Sequence, residues 1–404
     1  MRFDFDEEFD RKGTHSIKWE YVHQGDRLRK LEGLDGPNRI LPMWVADMDF
    51  RCPEPVLDAL RARVEHGIFG YSMPDDAFYQ SVVRWMQRRH GWKVDPDSIC
   101  LTPGVVPALN MLVRAFTQPG DKVLIQPPVY YPFMSAVENN GAELVLNPLV
   151  IEDGRYRMDF ADLEVKCRDP LVKMAILCSP HNPVGRVWTR DELTEFGRIC
   201  LENDVLVVSD EIHSDLIYRN YTFTPFAKLS DTFARHSVIC TAPSKTFNIA
   251  GLKTSCIMIP NQDLRMRFQS ILQSNGLQGV NALGLVALQA AYDHGQEWLE
   301  QALEYIEGNF NHLKQYFAEH IPQIEVIQPE GTYLVWLDCR AFGLDGEALR
   351  GLFFDQARVY MDDGFIFGEQ GEGFERINIA CPRSVLVEAL DRIRQVVQEL
   401  PDLS

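Results

Sequence analysis

Between about Pro103 and Pro260, short apolar runs alternate with stretches of helical period, the pattern of buried parallel strands separated by covering helices. Lys122-Val123-Leu124-Ile125 stops at Gln126-Pro127-Pro128, and Lys173-Met174-Ala175-Ile176-Leu177-Cys178 stops at Ser179-Pro180-His181-Asn182-Pro183. Proline has no N–H for a sheet ladder, so each run predicts a strand closed by a turn. Val205-Leu206-Val207-Val208 likewise ends at Ser209-Asp210-Glu211, and Ser237-Val238-Ile239-Cys240 runs into Thr241-Ala242-Pro243-Ser244-Lys245. Ligands of open α/β sheets sit beyond the carboxyl ends of the strands, so these four polar ends are expected to face one site.

Past Gly276 the period changes. Trp298, Ala302, Ile306, Phe310, Leu313 and Phe317 recur at helical spacing and predict one apolar helix face for a core. Glu325-Val326-Ile327 and Tyr333-Leu334-Val335-Trp336-Leu337 read as strands, and residues 384–400 as a closing helix. The expected fold is α/β, with a mostly parallel central sheet covered by helices on both faces, plus a smaller α+β domain. The expected division is an N-terminal segment, 1–48, joining the small domain; a large domain, 49–290; and the small domain itself, 291–404. No internal repeat, low-complexity tract or long Gly/Ser linker interrupts this plan.

Composition narrows the partners. The 404 residues, 46% of them hydrophobic, exceed what one compact core usually holds. A formal charge of -18 repels nucleic acid and anionic membranes, so neither is an expected partner. The start, Met1-Arg2-Phe3-Asp4-Phe5-Asp6-Glu7-Glu8, lacks the basic and apolar regions of a secretory signal, and the most apolar segments are strand-sized. A soluble, cytoplasmic protein is expected. Nine scattered cysteines without a C-x-x-C pair read as reduced, buried thiols, and no metal site is expected.

Four residues stand where the strand ends predict chemistry. Lys245 lies in Ala242-Pro243-Ser244-Lys245-Thr246-Phe247-Asn248-Ile249-Ala250-Gly251-Leu252, on a predicted loop between two strands. Asp210 ends an apolar strand, Asn182 occupies an Asn-Pro turn, and Gly104 in Thr102-Pro103-Gly104-Val105-Val106-Pro107-Ala108-Leu109 opens a helix whose free N–H groups suit a phosphate. Singly, each has an ordinary reading: a solvated lysine, a capping aspartate, a turn, a loop glycine. Their order along the chain is the specific signal: phosphate-binding helix start, aromatic after a strand, Asn-Pro turn, strand-terminal Asp, loop lysine.

That order resembles the fold-type-I pyridoxal-phosphate enzymes of the class I/II aminotransferase superfamily, with an aspartate-aminotransferase-like fold. Several strings resemble the MalY/PatB-type cystathionine β-lyase (C–S lyase) family in particular. They are Arg11-Lys12-Gly13-Thr14-His15-Ser16-Ile17-Lys18-Trp19, Leu41-Pro42-Met43-Trp44-Val45-Ala46-Asp47-Met48-Asp49-Phe50, Ser209-Asp210-Glu211-Ile212-His213, Pro243-Ser244-Lys245-Thr246-Phe247-Asn248, and Phe374-Glu375-Arg376-Ile377-Asn378-Ile379-Ala380-Cys381-Pro382-Arg383. The resemblance implies that Lys245 holds pyridoxal 5'-phosphate covalently, Asp210 pairs its ring nitrogen, and Asn182 contacts its ring oxygen. Tyr130 would stack on the ring, with Tyr131 as competitor. Gly104, Val105 and Ser244 would surround the phosphate, joined by Tyr71 from the neighbouring subunit of a homodimer. Arg376 would clamp the substrate carboxylate as a planar pair of donors that lysine cannot reproduce. His213, where aminotransferases commonly carry a tyrosine, is either a partner of the ring oxygen or a satisfied buried histidine. Lys253 and Ala242 depart from the aminotransferase pattern at the phosphate. The glycine-rich stretch 368–373 follows no βαβ strand and is not read as a dinucleotide loop.

The reaction implied is α,β-elimination from L-cystathionine or a related cysteine S-conjugate, giving a thiol, pyruvate and ammonia. An aminotransferase needs the same core residues and stays open as the alternative. A regulatory binding protein that retained only the fold ranks lower, because Lys245, Asp210 and Arg376 are all present. Which sulfur amino acid is preferred is not legible, since fold does not set such specificity.

Overall fold

The computed structural model describes residues 3–24, 27–31, 36 and 39–400. Seven strands form the central sheet: β1 (Ile99–Thr102), β2 (Lys122–Ile125), β3 (Glu143–Leu146), β4 (Val172–Cys178), β5 (Leu206–Asp210), β6 (Ser237–Thr241) and β7 (Ser255–Met258), in the order β1-β7-β6-β5-β4-β2-β3. All neighbours are parallel except β7, which runs antiparallel to both β6 and β1. The four strands read from apolar runs, β2, β4, β5 and β6, are therefore adjacent and parallel, and their carboxyl ends share one edge.

Alternation along these strands explains why they are apolar throughout. Leu124, Ala175, Leu177, Val207 and Ile239 face one core, while Val123, Ile125, Met174, Ile176, Val208 and Val238 face the other with the helix Val105–Phe116. A strand buried on both faces has no polar side to show.

A four-stranded antiparallel sheet follows, built from β8 (Glu325–Val326), β9 (Leu334–Asp338), β10 (Asp362–Asp363) and β11 (Phe374–Asn378) in the order β8-β9-β11-β10. The helices Gln296–His320 and Arg383–Gln398 pack against each other beside it. On the predicted stripe, Trp298, Ala302, Ile306, Phe310, Leu313 and Phe317 are all buried. The N-terminal segment reaches this region: Leu41–Pro42 pairs in parallel with Val359–Tyr360, and the Asn378 N–H donates to Met43 O at 2.8 Å.

One corner joins the two sheets under strain. Gly331 bridges Ile217, and a Cβ added to it would stand 2.7 Å from Leu216 O, so only glycine fits. Thr332 follows with φ +70°, unusual for a β-branched residue, and its N–H donates to Leu216 O at 2.7 Å. Its hydroxyl accepts from Leu334 N at 3.1 Å, and the corner delivers Tyr333 to the large-domain side fully buried. Lys245 differs from expectation: it sits on a helical turn, Pro243–Thr246, because Pro243 at the first position supplies a helical φ without needing a donor. Among the described residues no helix is long and apolar enough to cross a membrane.

Candidate active site

Asp210 is the last residue of β5, buried between β4 and β6. Its Oδ1 accepts from Ile212 N at 3.2 Å. Burial raises its carboxyl to about 7, against the pull of the Ile212 N–H and the Lys245 charge. Lys245 donates its amine to Ala46 O at 2.7 Å. Burial lowers its pKa to about 8; Asp47 and Asp210 oppose that, while Arg376 and Lys253 add to it.

Arg376 comes from β11, in register with Trp336 on one side and Asp362 on the other. It is buried, not the surface ion pair that an isolated arginine suggests. Nη1 donates to Asn182 Oδ1 at 3.0 Å, and Nη2 to Trp44 O at 2.8 Å and to the Asp362 carboxylate. Nε is buried with no partner among the described residues. Because Arg376 takes the Asn182 oxygen, the Asn182 amide nitrogen is the end left for a ligand. The Asn182 carbonyl accepts from Tyr130 N at 3.0 Å, tying the turn after β4 to the turn after β2.

Gly104 enters the helix Val105–Phe116 at φ +137°, a conformation that disfavours side chains. Val105 N and Val106 N make no hydrogen bond within the described chain, and Pro107 has no N–H, so the helix start presents two free donors. Ser244 is half-buried on the Lys245 turn. Burial is the first cause of the raised pKa of both tyrosines, and both feel Asp362 and Arg376, but only Tyr130 also carries the Asp210 charge. Tyr131 packs its ring 6.0 Å from Phe367. His213 is buried, its Nδ1 has no partner among the described residues, and its ring stands edge-on to Tyr333 at 6.2 Å. Burial, then the Lys245 and Arg376 charges, hold its pKa well below the ordinary value, so the ring is neutral.

The fold brings Lys245, Asp210, Asn182, Tyr130, His213 and Arg376 into one electrostatic neighbourhood. Tyr71 is the exception: it is fully exposed, between the helices Glu54–Glu65 and Asp76–His90. Sequence reasoning missed the residues that act through the backbone or from behind. Trp44 O and Ala46 O hold Arg376 and Lys245, and Tyr333 and Asp362 stand behind them. Asn378 Nδ2 donates to Val45 O and Asp47 O, both at 2.6 Å, and Asn248 clasps Met48 and Phe50, so this carbonyl strip is fixed from both sides. The string 41–50 had flagged the strip as a unit without showing what it does.

Comparison with known proteins gives the family. Residues 41–393 match the family described as aminotransferase class I and II. The chain is 49% identical over 390 residues to cystathionine β-lyase PatB of Bacillus subtilis, covering 96% of this chain and 98% of that one. It is 34% identical to protein MalY of Escherichia coli over 390 residues, 95% of this chain and 96% of the relative. The fold superimposes on cystalysin from Treponema denticola, which contains a pyridoxal 5'-phosphate cofactor, with a TM-score of 0.94 and 38% identity, over 99% of this chain and 100% of that one.

Proposed function

The chain belongs to the class I and II aminotransferase family, and from that membership we propose that it is a pyridoxal-phosphate-dependent carbon–sulfur β-lyase. It cleaves L-cystathionine or related cysteine S-conjugates to a thiol, pyruvate and ammonia. The reading rests on one observation above the others: a lysine amine of depressed pKa, a buried strand-end carboxyl and a buried arginine lie within one another's electrostatic reach. The donor set supports the fit of pyridoxal phosphate: two free N–H groups at a helix start, an asparagine amide turned outward by Arg376, and two orphaned buried nitrogens, Arg376 Nε and His213 Nδ1.

When bound, pyridoxal phosphate would supply an electron sink for the substrate Cα. The residues supply the rest. Asp210, as a carboxylate, favours the protonated pyridine nitrogen, and that positive charge in turn favours the carboxylate against burial. The Asn182 amide would donate to the ring oxygen, and Tyr130 would lie against the ring. Val105, Ser244 and the N–H groups beyond Gly104 take the phosphate. Arg376 holds the substrate carboxylate, and its bond to Asn182 couples that grip to the ring oxygen. Lys245 Nζ would serve as the base that takes the Cα proton; a pKa near 8 leaves part of it neutral at physiological pH. The Cβ–S bond then breaks and the thiolate leaves.

In this account the N-terminal segment, 1–48, works with the small domain, 291–404, against the large domain, 49–290; the Trp44–Arg376 and Leu41–Val359 contacts support that grouping. The working unit is a homodimer, with Tyr71 reaching the phosphate of the partner subunit; its full exposure in the single chain supports this. Nine unpaired cysteines fit the reducing cytoplasm. The test is L-cystathionine given to the cofactor-loaded protein without any keto acid. Sustained release of thiol and pyruvate is expected; a single turnover that resumes only with added keto acid would reassign the protein as an aminotransferase.

A further inference from the structure

The carbonyl of Ala46 receives two donors: Lys245 Nζ at 2.7 Å and the Tyr333 hydroxyl at 2.9 Å. The Tyr333 hydroxyl has no other polar partner among the described residues; the side chain is fully buried and is delivered by the strained corner at Gly331 and Thr332. Strain held in place by close packing marks a position that the surrounding structure over-determines. Accepting the reading of Lys245 as the cofactor-bearing base, we propose that Tyr333 is a positioning residue for it: the hydroxyl fixes Ala46 O as the dock of the free lysine amine and, by sharing that oxygen, keeps the dock from holding the amine as an ammonium ion.

The physical reason is competition at one acceptor. An ammonium ion gains more from a carbonyl than a neutral amine does, so an undivided oxygen would raise the pKa of Lys245. A second donor draws on the same lone-pair density and weakens that gain. The other groups facing Lys245 are Asp47 and Asp210, which favour its charge, and Arg376 and Lys253, which oppose it. Neutral His213 packs against the Tyr333 ring and leaves the hydroxyl to Ala46. Tyr333 touches neither substrate nor cofactor in this account; it acts through the carbonyl.

The test follows the lysine itself. The full chain is stripped of cofactor, and the rate at which it recaptures pyridoxal phosphate is measured against pH, since capture needs the neutral amine. The pH profile of kcat is measured in parallel on the loaded enzyme. Tyr333→Phe removes only the hydroxyl and is expected to move the capture midpoint upward by about one pH unit, the worth of one neutral hydrogen bond. Replacing Tyr333 by 3-fluorotyrosine keeps the ring shape, makes the hydroxyl a stronger donor, and is expected to move the midpoint downward. Opposite shifts from two variants of equal thermal stability are not produced by a packing defect. An unmoved midpoint in both, while capture still depends on Lys245, overturns the inference; capture that survives Lys245→Ala overturns the parent reading instead.

Discussion

Arg376 shows how much a single side chain carries here. Its three nitrogens face Asn182, Trp44 O with Asp362, and an unfilled direction at Nε, all in a buried setting where each unsatisfied donor is costly. Arg376→Lys keeps the charge but loses the planar fork. It is expected to lower kcat/KM roughly 10- to 100-fold, mainly through KM, the scale of one or two charge-assisted hydrogen bonds; steady-state kinetics on cystathionine checks this. Lys245, Asp210, Asn182 and Arg376 were legible because each is a chemically distinct side chain at a predicted strand end or in a family-like string. Ala46 and Trp44 were not, because they act through carbonyl oxygens that every residue possesses. Tyr333 reads as one more apolar position of a buried strand, and nothing local reveals that the corner before it turns its hydroxyl toward the lysine.

Among the elements, the four central strands were readable because burial on both faces makes them continuous apolar runs ending in prolines or polar residues. β1 and β3 were not, being the sheet edges, where β3 is partly solvated and carries no clean period. β7 was expected only as the strand after the Lys245 loop, without bounds, because Ser255-Cys256-Ile257-Met258 is short and lacks a β-branched run. The helix Val105–Phe116 depends on its glycine start. Gly104→Ala is expected to add about 1–3 kcal/mol of backbone strain at φ +137° and to weaken cofactor binding, measured by equilibrium dialysis beside thermal unfolding. The N-terminal segment is held by a buried ion cluster: Asp49 takes Arg11 Nη1 and Lys18 Nζ, each at 2.7 Å, and Trp19 Nε1 at 2.8 Å. Burial alone would raise the Asp49 pKa, but the Lys18 and Arg11 charges lower it overall. A carboxyl depressed on folding contributes stability above its unfolded value, near 3.9, and loses it as pH falls through the lower folded value. Asp49→Asn leaves the buried Lys18 with only the more distant Asp47 carboxylate, at 3.8 Å, and is expected to cost about 3 kcal/mol at neutral pH, a difference that shrinks in acid. Denaturant midpoints measured across that range check both the size and the sign.

For the whole molecule, the mostly parallel sheet and a smaller α+β region were foreseeable from periodicity, while a homodimer was expected only from resemblance. Tyr71 makes the point: alone it is an exposed aromatic among Val64, Ile68, Phe69 and Met73, and the role proposed for it requires a second copy. Tyr71→Ala and Lys245→Ala are each expected to be nearly inactive alone. Mixed and allowed to exchange subunits, they are expected to recover about a quarter of wild-type activity, because half the dimers would then own one site with both residues intact. No recovery, with exchange verified, would place Tyr71 in its own subunit's site or outside any site. The central claim is that Lys245 carries the cofactor in the cleft bounded by Asp210 and Arg376. Its most direct test is borohydride reduction of the pyridoxal-phosphate-loaded protein, which makes the lysine–cofactor link permanent, followed by peptide mass mapping. The account predicts the added cofactor mass on the peptide bearing Lys245; finding it instead on Lys253 or another lysine, or finding none, would contradict it.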